Sequence, residues 1–252
     1  MLRVVDQAAR TDAGRQRHAN EDSYYARAPI YAVADGMGGA QAGEVASRIA
    51  AEAFDERTDE GTPEQQLARV ATEANRRIFD LAQEDSTRSG MGTTLTGLLV
   101  DGDEVAIVHV GDSRAYVFRD GELRQLTRDH SLVEAQVRAG LLDRESSRQS
   151  EEQNILLRVL GREPEVEVEL NEVPVQPGDY LLLCSDGLTR MVPEPTLADA
   201  IFELRDPQRI CKYLIDTANR NGGADNITVV VVEVPARWWR RIGKRWRRQA
   251  ER

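Results

Sequence analysis

Four aspartates in this chain stand where an apolar run meets a sharp turn. Tyr31-Ala-Val-Ala34 stops at Asp35-Gly36, Val105–Val110 stops at Gly111-Asp112, and Tyr180–Cys184 stops at Ser185-Asp186-Gly187. Asp225-Asn226 opens the run Ile227–Val234. A carboxylate at the end of a buried strand sits on a rigid backbone and can be aimed at a shared point. Any one Asp-Gly pair taken alone reads as a turn; four strand ends that all carry Asp weaken that plainer reading. Convergent carboxylates raise one another's pKa unless a cation neutralises them. Oxygen ligands with no neighbouring Cys or His select Mg2+ or Mn2+ over zinc. Arg17, five residues before Asp22, reads alone as a solvated arginine. Beside a metal cluster the same residue suits a bidentate grip on phosphate.

The hydrophobic period indicates which elements position these groups. Leu2–Gln7 reads as a short strand, Thr11–Gly14 as a turn and Ser23–Tyr31 as a weak strand. Ala42, Val45, Ala46, Ile49, Ala50 and Ala53 predict a helix running through Phe54. Leu67, Val70, Ala71, Ala74, Ile78 and Leu81 predict a second helix after Pro63. Thr93–Val100, Glu104–Val110 and Arg114–Arg119 read as an antiparallel meander. Ser131–Gly140 and Ser147–Leu160 look like charged helices inserted at the sheet's rim, and their plain reading is a solvated face. Helices over Pro195–Leu204 and Pro207–Asn219 precede the last strand, Ile227–Val234. Strands and helices in separate blocks predict an α+β fold with helices covering antiparallel sheets.

Composition narrows the function classes. At 252 residues, 40% hydrophobic and 30% charged, the chain is the size of one large globular domain. A net charge of −10 disfavours nucleic acid as a partner. Two cysteines, Cys184 and Cys211, make no disulfide scaffold and suit a reduced, cytoplasmic setting. Met1–Arg10 lacks a signal-peptide core, and no apolar run reaches the ~20 residues of a membrane span. The charge is uneven: Arg237–Arg252 holds eight basic residues and one acid, or +7, whereas the rest holds 25 basic and 42 acidic, or −17. Wound as a helix at ~100° per residue, this tail separates Trp238, Trp239, Ile242 and Trp246 from the seven basic residues of Arg237–Arg248. Such a face suits an anionic membrane surface or an acidic partner; docking on the acidic body and a disordered tail are the alternatives.

Six blocks carry a family resemblance. Arg17-His-Ala-Asn-Glu-Asp22, Asp35-Gly-Met-Gly-Gly39, Gly90-Met-Gly-Thr-Thr94, Gly111-Asp-Ser-Arg114, Cys184-Ser-Asp-Gly-Leu188 and Asp225-Asn-Ile-Thr228 occur in family order across about the first 234 residues. The chain thereby resembles the metal-dependent PPM (type 2C) protein serine/threonine phosphatases, in particular their bacterial branch. The resemblance implies a four-layer α-β-β-α sandwich of two antiparallel sheets with a helical flap at about 131–160. The catalytic domain would span 1–235, with the basic tail at 236–252.

It also implies roles, position by position. Asp35 would bridge two Mn2+ or Mg2+ ions, the Gly36 carbonyl would ligate one, and Asp186 and Asp225 would hold the other. Asp112, with Asp186, would bind a third, weaker ion. Glu21 and Asp22 would orient metal-bound water, Arg17 would hold the phosphate, and Asn226 would support the ligands. A water shared by two divalent ions becomes hydroxide near neutral pH and attacks phosphorus with no covalent intermediate. Met37 departs from those members that carry a histidine general acid there, which leaves protonation to a metal-bound water. His109 alternates within a strand and reads as core, His18 as a surface turn, and His130 as a candidate for lining the cleft. The implied activity is hydrolysis of phosphoserine and phosphothreonine, with phosphorylated proteins and a cognate Ser/Thr kinase as partners. A non-catalytic phosphoprotein-binding module recruited by the tail is the alternative, and small phosphate esters are a rival substrate class.

Overall fold

Strands that are apolar on both faces need cover on both faces, and the fold provides it with four layers. The computed structural model describes residues 6–147 and 150–234. In chain order the strands are β1 (Gln7–Asp12), β2 (Asp22–Arg27), β3 (Ile30–Met37), β4 (Gly92–Thr93), β5 (Leu95–Asp101) and β6 (Glu104–Val110). They continue with β7 (Arg114–Arg119), β8 (Glu122–Gln125), β9 (Glu169–Pro174), β10 (Tyr180–Cys184) and β11 (Ile227–Glu233). One sheet has the order β1-β11-β10-β7-β8; the other runs β2-β3-β5-β6-β9, with β4 beside β3. All of these pairings are antiparallel.

Period-two alternation assigns each residue to a layer. In β3, Ile30, Ala32 and Ala34 face the helices α1 (Ala40–Glu52) and α2 (Pro63–Glu84), while Tyr31 and Val33 enter the layer between the sheets. The short α3 (Leu132–Arg138), α4 (Arg144–Ser147) and α5 (Asp186–Thr189) follow, and α6 (Glu194–Leu204) and α7 (Pro207–Arg220) cover the other sheet. In β10, Tyr180, Leu182 and Cys184 face α6 and α7, while Leu181 and Leu183 join Tyr31 and Val33. The second helix of each pair, α2 and α7, starts on a clear local signal. Thr62 and Gln65 form a reciprocal capping box ahead of Pro63, and the Asp206 carboxylate accepts the Arg209 N–H at 2.8 Å. The expected four-layer sandwich is therefore present. Among the described residues no helix is long and apolar enough to cross a membrane.

Several elements depart from the sequence reading. β1 covers Gln7–Asp12, so Thr11 and Asp12 belong to a strand rather than a turn, and most of the strand expected at Leu2–Gln7 lies outside the described residues. The meander is broken, because β5 pairs with β6 but β7 joins β10 and β8 in the opposite sheet. Gly111 makes that crossing at φ 110°, and a Cβ there would meet the Thr94 side chain. The helix expected over 147–160 is not continuous among the described residues 150–160, where Leu156 bridges to Ser131 and Leu160 to Thr93 instead. β9 was not anticipated. The amphipathic tail and the boundary at 235 lie outside the described residues.

Asn75 of α2 holds the return from this insertion. Its Oδ1 accepts the Gly161 N–H at 2.8 Å, and its Nδ2 donates to the Glu163 and Pro164 carbonyls at 3.1 and 3.2 Å. Asn75→Ala strands these buried backbone groups and is expected to cost about 2–4 kcal/mol. The readout is a lower urea midpoint at unchanged slope; an unchanged midpoint would show that water replaces the amide without loss. Both thiols are buried, and burial pushes Cys184 and Cys211 up to about 12, so each is core rather than nucleophile.

Candidate active site

The antiparallel pairings carry the four strand ends to one end of the sandwich. In one sheet Asp22 opens β2 opposite Asp35, and Gly36 pairs with Thr93 of β4. In the other, Cys184 at the end of β10 pairs with Val229 of β11 and with Arg114 of β7. Asp186, Asp225 and Asp112 therefore arrive side by side and meet Asp35 where the sheets part. They line a cavity of about 240 Å³ together with Gly36, and Arg17 and Glu21 complete its wall.

Backbone clamps set these groups in place. The Asp35 N–H donates to Thr94 Oγ1 at 2.9 Å, and its carbonyl accepts from the Thr94 N–H and the Thr93 hydroxyl, each at 2.9 Å. Gly36 donates its N–H to the Glu21 carbonyl at 3.1 Å, and any Cβ at Gly36 would collide with the carbonyls of Gly43 and Glu21. Only glycine permits that approach between β3 and α1. Asn226 closes the loop that carries Arg17. Its Oδ1 accepts the Glu21 N–H at 2.8 Å, and its Nδ2 donates to the carbonyls of Ala13 and Ala19 at 3.0 and 2.9 Å. Arg17 itself is half exposed and donates to Asp225 Oδ2 at 2.8 Å.

The electrostatics fit hard cations. Burial, then the charges of Asp22, Asp186, Asp112 and Asp225, lift the Asp35 carboxyl well above the usual carboxylate range. Burial, then Asp186, lifts Asp112 likewise, while Arg190 opposes the shift. Burial raises Asp186, again opposed by Arg190, and burial also raises Glu21. Asp186 Oδ1 is buried without a hydrogen-bond partner. An orphaned carboxylate oxygen among self-repelling acids, with only oxygen donors nearby, is what a divalent cation would relieve. Among the described residues no three Asp, Glu, His or Cys side chains are spaced to enclose a metal as they stand. Arginines occupy two of the carboxylates instead, Arg17 on Asp225 and Arg190 on Asp186.

Asp22 adjoins Asp35 but does not line the cavity. It faces the interior below the cavity, where its Oδ2 accepts from Ser185 Oγ at 2.7 Å and Thr228 Oγ1 at 2.6 Å, and burial pushes it up to about 7. Its Oδ1 has no partner. His130 does not line the cavity either. Its Nδ1 accepts the Gly111 N–H at 3.2 Å, and its ring lies 4.7 Å from that of His109. His109 is core, bonded to Thr96 and the Arg128 carbonyl, and His18 is exposed on a bend, as their spacing implied. Met37 reaches the wall, as do Thr94, Asn154, Leu156 and Arg190, to which sequence reasoning gave no role. Arg190 had a signal, since it follows Asp186 by four residues, one helical turn. Asn154 and Leu156 had none, because their place depends on the bridge to Ser131.

Comparison with known proteins identifies the family. Residues 7–226 match the family model described as Protein phosphatase 2C. The chain is 44% identical over 236 residues to the serine/threonine phosphatase stp of Listeria welshimeri, covering 89% of this chain and 94% of that one. It is 39% identical over 235 residues to the serine/threonine protein phosphatase PstP of Mycobacterium tuberculosis, covering 92% of this chain and 45% of that one. The crystal structure of M. tuberculosis PstP/Ppp superposes with a TM-score of 0.87 at 39% identity, over 91% of this chain and 98% of that one. The catalytic domain of PstP in complex with two manganese ions superposes with a TM-score of 0.85 at 39% identity, over 91% and 97%. The matched span contains every strand but β11, together with all five acids of the cavity and Arg17, so the chain belongs to the protein phosphatase 2C family.

Proposed function

We propose that this chain is a protein serine/threonine phosphatase that hydrolyses phosphoserine and phosphothreonine, opposing a cognate Ser/Thr kinase. The observation that carries this reading is the convergence of four strand-end aspartates, one with an orphaned oxygen, beside a half-exposed arginine in one open cavity. Asp35, the Gly36 carbonyl, Asp186 and Asp225 would hold two Mn2+ or Mg2+ ions. When bound, such ions activate water toward phosphorus and neutralise the phosphate. The two manganese ions of the PstP catalytic domain support the pair.

The chain's own residues perform the remaining work. Arg17, tied to Asp225 by a bond open to solvent, turns its fork to the phosphate oxygens. Glu21 orients the attacking water from the cavity wall, and Asn226 fixes the loop between them. Asp22 acts from beneath, joining β2 to Ser185 and Thr228 so that Asp35 and Asp186 keep their separation. With Met37 on the wall and His130 turned away, the leaving alkoxide takes its proton from water. Asn154 and Leu156 of the flap meet the chain flanking the phosphorylated residue.

Phosphate release from a phosphothreonine peptide tests the reading. Turnover is expected with Mn2+, loss with EDTA and recovery on adding Mn2+ back; turnover unaffected by EDTA would overturn it. Retention of all the acids disfavours a non-catalytic binding module. The catalytic domain on this reading is 1–235, in the cytoplasm, and the segment 236–252 takes it to the inner face of the membrane through Trp and Arg. Flotation with anionic liposomes is expected to carry the full chain and not a chain ending at residue 235. Equal behaviour of the two would remove the membrane role.

A further inference from the structure

The five acids of the cavity differ in what neutralises them. Arg190 follows the single turn of α5, its N–H bonded to the Asp186 carbonyl at 2.9 Å. Its Nη2 lies 2.5 Å from Asp186 Oδ2 and 3.7 Å from Asp112 Oδ2. The Arg190 side chain is 25% exposed, against 52% for Arg17, and the Asp112 and Asp186 side chains are 9% and 13% exposed. Arg17 is thus a solvent-facing cation that can turn to a substrate, whereas Arg190 is walled in between two carboxylates.

We infer that Arg190 is the resident cation between Asp112 and Asp186, occupying in this chain the place that the family resemblance gives to a third metal ion. The inference rests on the two-ion reading of the site proposed above. A guanidinium keeps its charge throughout the working pH range and presents several donors from one fixed plane. A divalent ion entering between Asp112 and Asp186 would meet that charge at contact distance or would have to expel it. Asp186 divides its oxygens accordingly. Oδ2 is taken by Arg190, while Oδ1 is buried and unpartnered, free for an ion of the main pair. Arg190 is therefore a positioning residue. It orients the carboxylate of Asp186 and sets a fixed positive charge 3.7 Å from Asp112, against which a further ion would have to bind.

Mn2+ binding to the full chain, followed by isothermal titration calorimetry and equilibrium dialysis, tests this without reference to turnover. The wild type is expected to take up two ions per chain, and Arg190→Lys also two. Arg190→Ala is expected to take up a third, weaker ion that disappears when Asp112→Asn is added. Arg190→Ala is also expected to bind the main pair about 10-fold more weakly, because Asp186 loses its orienting partner. Three ions in the wild type, falling to two in Asp112→Asn alone, would overturn the inference even if Arg190→Ala does not fold. Two ions in a folded Arg190→Ala would overturn it as well. No ion bound by the wild type would overturn the metal-centre reading itself.

Discussion

Asp35→Asn is expected to reduce turnover of a phosphothreonine peptide by ~10³-fold or more, while making the metal-free protein more stable. Both effects follow from one carboxylate. Asp35 is buried, and every charge that adds to its upward shift belongs to another acid. An acid whose pKa is raised on folding costs stability once pH exceeds its unfolded value, and the cost grows until pH passes the folded value. Asparagine keeps the shape and removes the charge, so in EDTA the variant's melting temperature should exceed the wild type's at neutral pH. The two should converge as pH falls toward the ordinary carboxylate range. For a chain of this size each kcal/mol corresponds to about 2–4 °C. Adding Mn2+ should reverse the order, because a ligand bound only by the folded state stabilises it by about 2.7 kcal/mol at a hundredfold excess over Kd. A variant that melts below the wild type in EDTA and gains equally from Mn2+ would show that Asp35 is a structural acid.

Arg17→Ala is expected to lower kcat/KM by about 10–100-fold, the equivalent of one charge-assisted hydrogen bond at about 1.5–3 kcal/mol. Most of the change should fall on KM, because the phosphate carries its charge before and during reaction. Competitive inhibition by inorganic phosphate should weaken in parallel. Stability should hardly move, since a half-exposed ion pair contributes little. Arg17→Lys should recover only part of the loss, having charge without the planar fork. Unchanged phosphate inhibition in Arg17→Ala would place the grip elsewhere. Asn226 supplies a related comparison, because losing its three bonds to the 13–21 loop would misplace Arg17 without removing it.

Much of this protein was written locally. The starts of α2 and α7 follow from Thr62-Pro63 and Asp206-Pro207, whose side chains and rings satisfy or remove the N–H groups that a helix end leaves unpaired. β3, β10 and β11 declare double-sided burial through apolar residues at consecutive positions, and each meets an aspartate at its catalytic end. The chemistry was legible for the same reason: carboxylates at strand ends are a property of sequence order.

The partners of each strand were not. β7 has the same pattern whether it continues a meander or crosses to the other sheet, and only its pairing with β10 brings Asp112 beside Asp186. Glu21 and Asp22 are neighbours in sequence, yet one lines the cavity and the other faces the Ser185 and Thr228 hydroxyls in the interior. Successive side chains at the start of a strand point to opposite faces, and composition does not say which face will be the open one. Residues 147–160 carry enough charge to pass for a helix, but pairing with Ser131 and Thr93 draws parts of them into extended structure. Residue types and their order determined that this chain could gather acids around cations. Long-range strand pairing, which local periodicity does not encode, decided which acids meet and set Arg190 among them.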